Sequence, residues 1–136
     1  MQTKVKAFIL LSFLSFGSQA ATEVALSAKQ NCIYPPVSNS KIQAGTPLQF
    51  QLEKGTYQIS LATNNMSCLN GSLSNGCLID TVFLQGGLGS SRWGETISKT
   101  PTTVTTTGPS TFIAFVSDEN CSDNTGYALI HAEKIQ

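Results

Sequence analysis

Charge is scarce and balanced in this chain: eight Lys and Arg stand against eight Asp and Glu, together 12% of 136 residues. No basic stretch is dense enough to follow a phosphate backbone, so nucleic acid is not an expected partner, and no charged tail suggests capture of a charged polymer. Long apolar runs are missing too. The longest, near residues 7–16, is shorter than the ~20 residues a bilayer-spanning helix needs, and no membrane insertion is expected. There is one histidine, His131, in a strand-like segment, and no Cys-x-x-Cys pair, which together make a zinc site a poor reading. A hydrolytic triad lacks a histidine beside a free nucleophile, and no glycine-rich phosphate loop sits between a strand and a helix. The eight carboxylates come with no cleft-forming insertion of the kind a glycosidase uses. The expectation is a protein that binds and does not catalyse.

The chain opens MQTKVKAFILLSFLSFGSQA, with Lys4 and Lys6 before an apolar run and small residues at Ser18 and Ala20. This is the pattern of a secretory signal peptide over residues 1–20. Residues 21–136 then form a single domain outside the cytoplasm, secreted or periplasmic, with six basic residues against eight acidic ones once Lys4 and Lys6 are removed. In that compartment the four cysteines are expected to pair. Cys68 and Cys77 bracket the short polar loop CLNGSLSNGC, whose closure costs little chain entropy. Cys32 is then left to join Cys121.

Hydrophobic patterning speaks for strands. In PLQFQLEKGTYQISLA, Leu48, Phe50 and Leu52 alternate with polar residues, as do Tyr57, Ile59 and Leu61, which predicts an antiparallel hairpin turning at Lys54-Gly55. CLIDTVFLQ (residues 77–85) is apolar on both faces and reads as an interior strand. The glycines at 86, 87 and 89 are expected to end it in a loop leading to Arg92-Trp93-Gly94. The Thr-rich residues 100–111 fit an edge strand, and TFIAFVS and GYALIHAEKI a closing strand pair. No window keeps a helical period, and no repeat recurs at a fixed spacing. About seven short strands and regular turn signals predict an all-β fold, an antiparallel jelly-roll β-sandwich of the galactose-binding-domain-like kind, with two disulfides. Its core would draw on Leu48, Phe50, Leu52, Ile59, Leu61, Ile79, Phe83, Ile113 and Phe115.

The segment SDENCSDNTGYALI concentrates polar chemistry between two apolar strands. Asp118, Asn120, Ser122, Asp123 and Asn124 offer carboxylate and amide oxygens, the donors a hard cation such as calcium takes, with backbone carbonyls beside them. It is not an EF-hand: its flanks are strands, Asp123 stands where glycine is needed and Leu129 where the bidentate acid belongs. The alternative is a long turn whose Asp and Asn side chains bond nearby N–H groups while Gly126 takes a positive φ.

The run TFIAFVSDENCSDNTGYALIHAEK resembles the end of the small calcium-dependent galactose-binding lectins of bacteria: a strand ending in Asp, a short loop, a pair of amides, then Ser/Thr-Gly and the last strand. SKIQAGTPLQFQLEKGTYQI and CLNGSLSNGCLIDTVFLQGG resemble their early hairpin and disulfide-closed loop more loosely. The resemblance implies a calcium ion held by the Asp118 carboxylate, the Asn120 carbonyl and the paired side chains of Asp123 and Asn124, with sugar hydroxyls on the metal. The spacer is shorter here, Asp123 replaces an Asn, Cys121 intervenes, and the His-Pro-Asp-Gln segment that contacts galactose in that family is not matched.

Trp93, the sole tryptophan, is a further candidate for stacking on a sugar ring, or else covers one end of the core. The functional expectation is a secreted, calcium-dependent, carbohydrate-binding module with its site on residues 118–126. The alternative is a structural or protein-interaction sandwich of the envelope or matrix that holds no metal.

Overall fold

The computed structural model describes residues 21–34, 45–69, 76–88 and 91–136, with the backbone alone at Gly87, Leu88, Ser91 and Arg92. Residues 1–20, expected to be a signal peptide, most of the loop inside the Cys68–Cys77 pair and the Arg92 side chain lie outside it. The described residues contain nine strands: β1 (Ala21–Ser27), β2 (Cys32–Ile33), β3 (Leu48–Leu52), β4 (Gly55–Asn64), β5 (Val82–Leu88), β6 (Ser91–Ile97), β7 (Thr102–Thr106), β8 (Ser110–Ser117) and β9 (Tyr127–Lys134). They form two sheets. One has the order β1-β9-β4-β7; the other runs β2-β8-β5-β6, with β3 also paired to β8. Apart from the two-residue β2, which runs parallel to β8, every pairing is antiparallel. The pairings are nested: β1 with β9, β3 with β8, β4 with β7 and β5 with β6.

Inward-facing residues of both sheets meet in one core. Leu26, Tyr57, Ile59, Leu61, Val104, Ala128, Ile130 and Ala132 come from the first sheet, and Phe50, Leu52, Val82, Leu84, Ile97, Phe112, Ala114 and Val116 from the second. Phe50 and Phe112 stack with ring centroids 5.5 Å apart. The Thr-rich strand β7 pairs only with β4 and so lies at an edge, where β-branched side chains suit a half-solvated pleat.

Several expectations are corrected. The segments around Lys54-Gly55 are not a hairpin, because β3 pairs with β8 and β4 with β9 and β7, so the turn carries the chain from one sheet to the other. Alternation reports which face is buried and is silent about the pairing partner, and two strands facing each other across a sandwich show it as well as two neighbours do. For the same reason β8 and β9 are not a closing pair: their connection also crosses between sheets. The glycines after Gln85 do not end the strand. β5 runs on to Leu88 opposite β6, and a Cβ at Gly86 would lie 2.6 Å from the Phe112 ring and 2.9 Å from that of Trp93, so this glycine admits the close packing of two aromatics. Finally, Phe83, Ile113 and Phe115 are not core residues. The inward phase of β8 is Ser110, Phe112, Ala114 and Val116, and that of β5 is Val82, Leu84 and Gly86. Leu48 and Ile79 are partly buried at the core's margin.

Candidate functional site

The connection between β8 and β9 is built on one 3-10 turn, Cys121–Asp123. Its approach is set by short-range bonds: Asp118 Oδ1 accepts from the Asn120 N–H at 3.2 Å, and Asn120 Oδ1 accepts from the Ser122 N–H at 3.3 Å and its hydroxyl at 2.6 Å. These are the local side-chain-to-backbone bonds that Asp and Asn favour in turns. Its exit is Gly126, at φ +82°, where a Cβ would collide with the Asn65 carbonyl.

The loop is tied to its surroundings on two sides. Cys121 bonds to Cys32 with Cα atoms 5.7 Å apart, and Cys68 to Cys77 at 5.4 Å, the pairing the loop lengths predict. Thr125 and Ser67 exchange two backbone hydrogen bonds of 2.9 and 3.0 Å, next to the second disulfide. The Ala28 N–H donates to the Gly126 carbonyl at 3.1 Å, and Asn65 Oδ1 accepts from the Tyr127 N–H at 2.9 Å. The connection therefore packs against the β1–β2 turn and the segment after β4 at one end of the sandwich.

Asn124 is the buried centre of this arrangement, 1% exposed. Its Nδ2 donates to the Ala28 carbonyl at 3.0 Å and points at Cys32 Sγ at 3.4 Å. The Ala28 carbonyl fixes the amide's orientation, since a flipped side chain would set two acceptors against each other. Asn124 Oδ1 is thereby turned away from Ala28, and no donor among the described residues reaches it. Asp123 Oδ1 is buried and unpartnered in the same way. A buried acceptor left without a partner costs about 1–3 kcal/mol, and here two occur on consecutive residues.

The four residues expected to ligate a cation are thus of two kinds. Asp118 and Asn120 spend a side-chain oxygen on shaping the turn, although the Asp118 carboxylate keeps its second oxygen and the role expected of Asn120 falls to its backbone carbonyl. Asp123 and Asn124 carry free acceptors. Among the described residues no three His, Cys, Asp or Glu side chains gather into a metal-holding group, so a cation here would depend on amide and carbonyl oxygens as much as on carboxylates. That donor set fits a hard ion such as calcium and not zinc.

Trp93 sits elsewhere. It lies on the inward face of β6, partly buried, and meets Phe112 edge-on at 5.7 Å, covering the core beside Gly86. His131 faces outward on β9 with Nδ1 3.2 Å from the Glu23 carboxylate. Tyr34, just past β2, has a buried hydroxyl that no described residue partners, and burial pushes its phenol above the usual value. Sequence reasoning missed the part of Ala28 and Asn65: a backbone carbonyl has no signature in the sequence, and Asn65 shows only as one of two consecutive asparagines.

No protein-family model matches the chain, and no curated protein or solved structure shows significant similarity to it. The fold and site define a disulfide-stapled, all-β, two-sheet protein with a polar loop at one end, tied to its surroundings by a disulfide and backbone hydrogen bonds.

Proposed function

We propose that this is a secreted carbohydrate-binding module, not an enzyme, built on a jelly-roll sandwich and holding a calcium ion on residues 118–126. The nested strand pairing supports the jelly-roll reading, since an eight-stranded ribbon folded over on itself pairs first with last and second with second-last. Paired cysteines support an oxidising compartment. The observation that carries the metal is the pair of buried oxygens on Asp123 and Asn124 that have no partner among the described residues. Calcium bound there, with the Asp118 carboxylate and the Asn120 carbonyl completing the protein's share, would leave positions for vicinal sugar hydroxyls. The chain's own part is to hold these oxygens in place before the ligand arrives, which lowers the ordering cost of binding.

The test is thermal. A ligand that binds only the folded state stabilises it by mass action, about 2.7 kcal/mol at one hundred times its Kd, which in a domain of this size raises Tm by roughly 11 °C. Asp123→Asn removes the charge and Asp118→Ala a ligand, and both are expected to shrink the calcium-induced shift while the apo protein stays folded, neither residue being part of the core. Binding to a glycan array that disappears with chelator then separates a lectin from a calcium-stabilised scaffold. The turn bonds of Asp118 and Asn120 favour a second reading, a purely structural loop in an envelope or matrix protein. A melting curve unmoved by millimolar calcium would establish that reading instead.

A further inference from the structure

The outer face of the β2-β8-β5-β6 sheet carries an apolar patch that the described residues leave uncovered. Pairing sets its residues on a grid. Thr96, Phe83 and Phe115 lie side by side across β6, β5 and β8, and Gly94, Gln85 and Ile113 form the next row. Phe83 is 43% exposed, and its ring lies within 15° of parallel to that of Phe115 with centroids 5.5 Å apart. Where the grid calls for a side chain at Gly94 there is none, and a depression of about 400 Å³ opens, lined by Phe83, Phe115, Gln85, Glu95 and Thr96.

Gly94 is the informative residue. It is not among the glycines with positive φ, and a Cβ built on it meets nothing nearer than the Leu84 carbonyl at 3.8 Å, an ordinary contact. Neither backbone conformation nor packing requires glycine there, unlike at Gly86, where a Cβ would strike the Phe112 and Trp93 rings, and a glycine inside a strand weakens the strand. What the missing side chain does is keep the floor of the depression open.

We propose that this depression is a saccharide subsite that needs no metal. A pyranose ring has an apolar C–H face and a rim of hydroxyls. The exposed Phe83 ring and the half-buried Phe115 ring beside it suit the first, and the Gln85 amide and Thr96 hydroxyl supply donors and acceptors for the second. The volume is that of a small-molecule site, ~300–1,000 Å³. The subsite shares the carbohydrate reading of the loop but not its cation, and the two are separable.

Amide chemical shifts of the full-length secreted protein, recorded in chelator, test it with the methyl glycosides of galactose, glucose and mannose and the linear tetrasaccharides of each as probes. At least one is expected to shift the signals of Phe83, Gly94, Thr96 and Phe115. Phe83→Ala should weaken that binding about tenfold or more. Gly94→Val should abolish it by filling the floor while leaving Tm unchanged or higher, a combination that a merely structural role for Gly94 does not produce. Neither substitution should alter a calcium-induced Tm shift, so failure at the loop and failure at the sheet are told apart. The proposal is overturned if no probe moves these signals, if Gly94→Val binds as the parent does, or if the parent self-associates in solution and Phe83→Ala abolishes that association, which would make the occupant a second copy of the chain.

Discussion

The two disulfides close loops of very different length, with sequence separations of 89 and 9, and should differ in worth accordingly. On the loop-closure relation, a cross-link spanning about 90 residues removes denatured-state entropy equivalent to about 4.6 kcal/mol at 25 °C, against about 2.7 kcal/mol for one spanning about 10. At about 2.1 cal/mol/K of unfolding entropy per residue, residues 21–136 lose one degree of Tm for every ~0.24 kcal/mol, so Cys32→Ala/Cys121→Ala should lower Tm by about 19 °C and Cys68→Ala/Cys77→Ala by about 11 °C. Burial widens the gap. Cys32 and Cys121 are fully enclosed, and truncating both leaves a void beside Asn124, whereas Cys68 and Cys77 are only half-buried. Scanning calorimetry of the two double variants and the parent measures both shifts under the same conditions. Equal losses, or a larger loss from the short loop, would refute the reasoning and imply that the unfolded chain is already constrained between residues 32 and 121.

The outward phase of β8 is checked by two truncations in chemical denaturation: Phe112→Ala, fully buried, should cost about 3–5 kcal/mol, and Phe115→Ala less than half as much. Gly126→Ala, at φ +82° and against the Asn65 carbonyl, should cost about 1–3 kcal/mol by the same measurement. The raised phenol of Tyr34 gives stability that is complete below its unfolded value near 10.0 and declines as pH rises from there through the folded value. Tyr34→Phe should flatten that alkaline decline in a pH series of unfolding curves, and at neutral pH it should be neutral or stabilising because it removes a buried hydroxyl that no described residue partners.

What could be read from the sequence followed from local rules, and what could not was a matter of partners. Leu48, Phe50 and Leu52 announce a strand with one buried face, and so do Tyr57, Ile59 and Leu61; nothing in either run says that they belong to opposite sheets. In TFIAFVS both alternations are apolar, so Phe112, Ala114 and Val116 competed with Ile113 and Phe115 for the core on equal terms. Only the positions of β5 and β3 beside β8 decide it. The consequence reaches function, because the residues assigned inward by pattern are those that form the exposed aromatic patch. Gly86 and Gly94 show the same limit. Both look like strand breakers; one admits the Phe112 and Trp93 rings and the other faces open space. The cysteine pairing was legible because loop entropy distinguishes a separation of 9 from the alternatives without reference to the fold.

The strapping of the final loop explains how it keeps two buried oxygens without a partner among the described residues. A free loop of this composition would rotate Asp123 and Asn124 until both acceptors met water. Here the Cys32–Cys121 bond fixes the chain before them, and the Thr125–Ser67 bonds and the Ala28 bond to Gly126 fix it after them. Asn124 Nδ2 is held to the Ala28 carbonyl, and turning the side chain to relieve Oδ1 would break that bond and leave two carbonyl oxygens facing each other. The unmet acceptors are therefore a consequence of the same contacts that stabilise this end of the sandwich, and they persist because those contacts outweigh a penalty of about 1–3 kcal/mol per oxygen. A cation that met both oxygens would recover that penalty on binding without reorganising the loop, which is why the stapled end of the sandwich, and not the Trp93 side chain packed against Phe112, is the place to test for a bound cation.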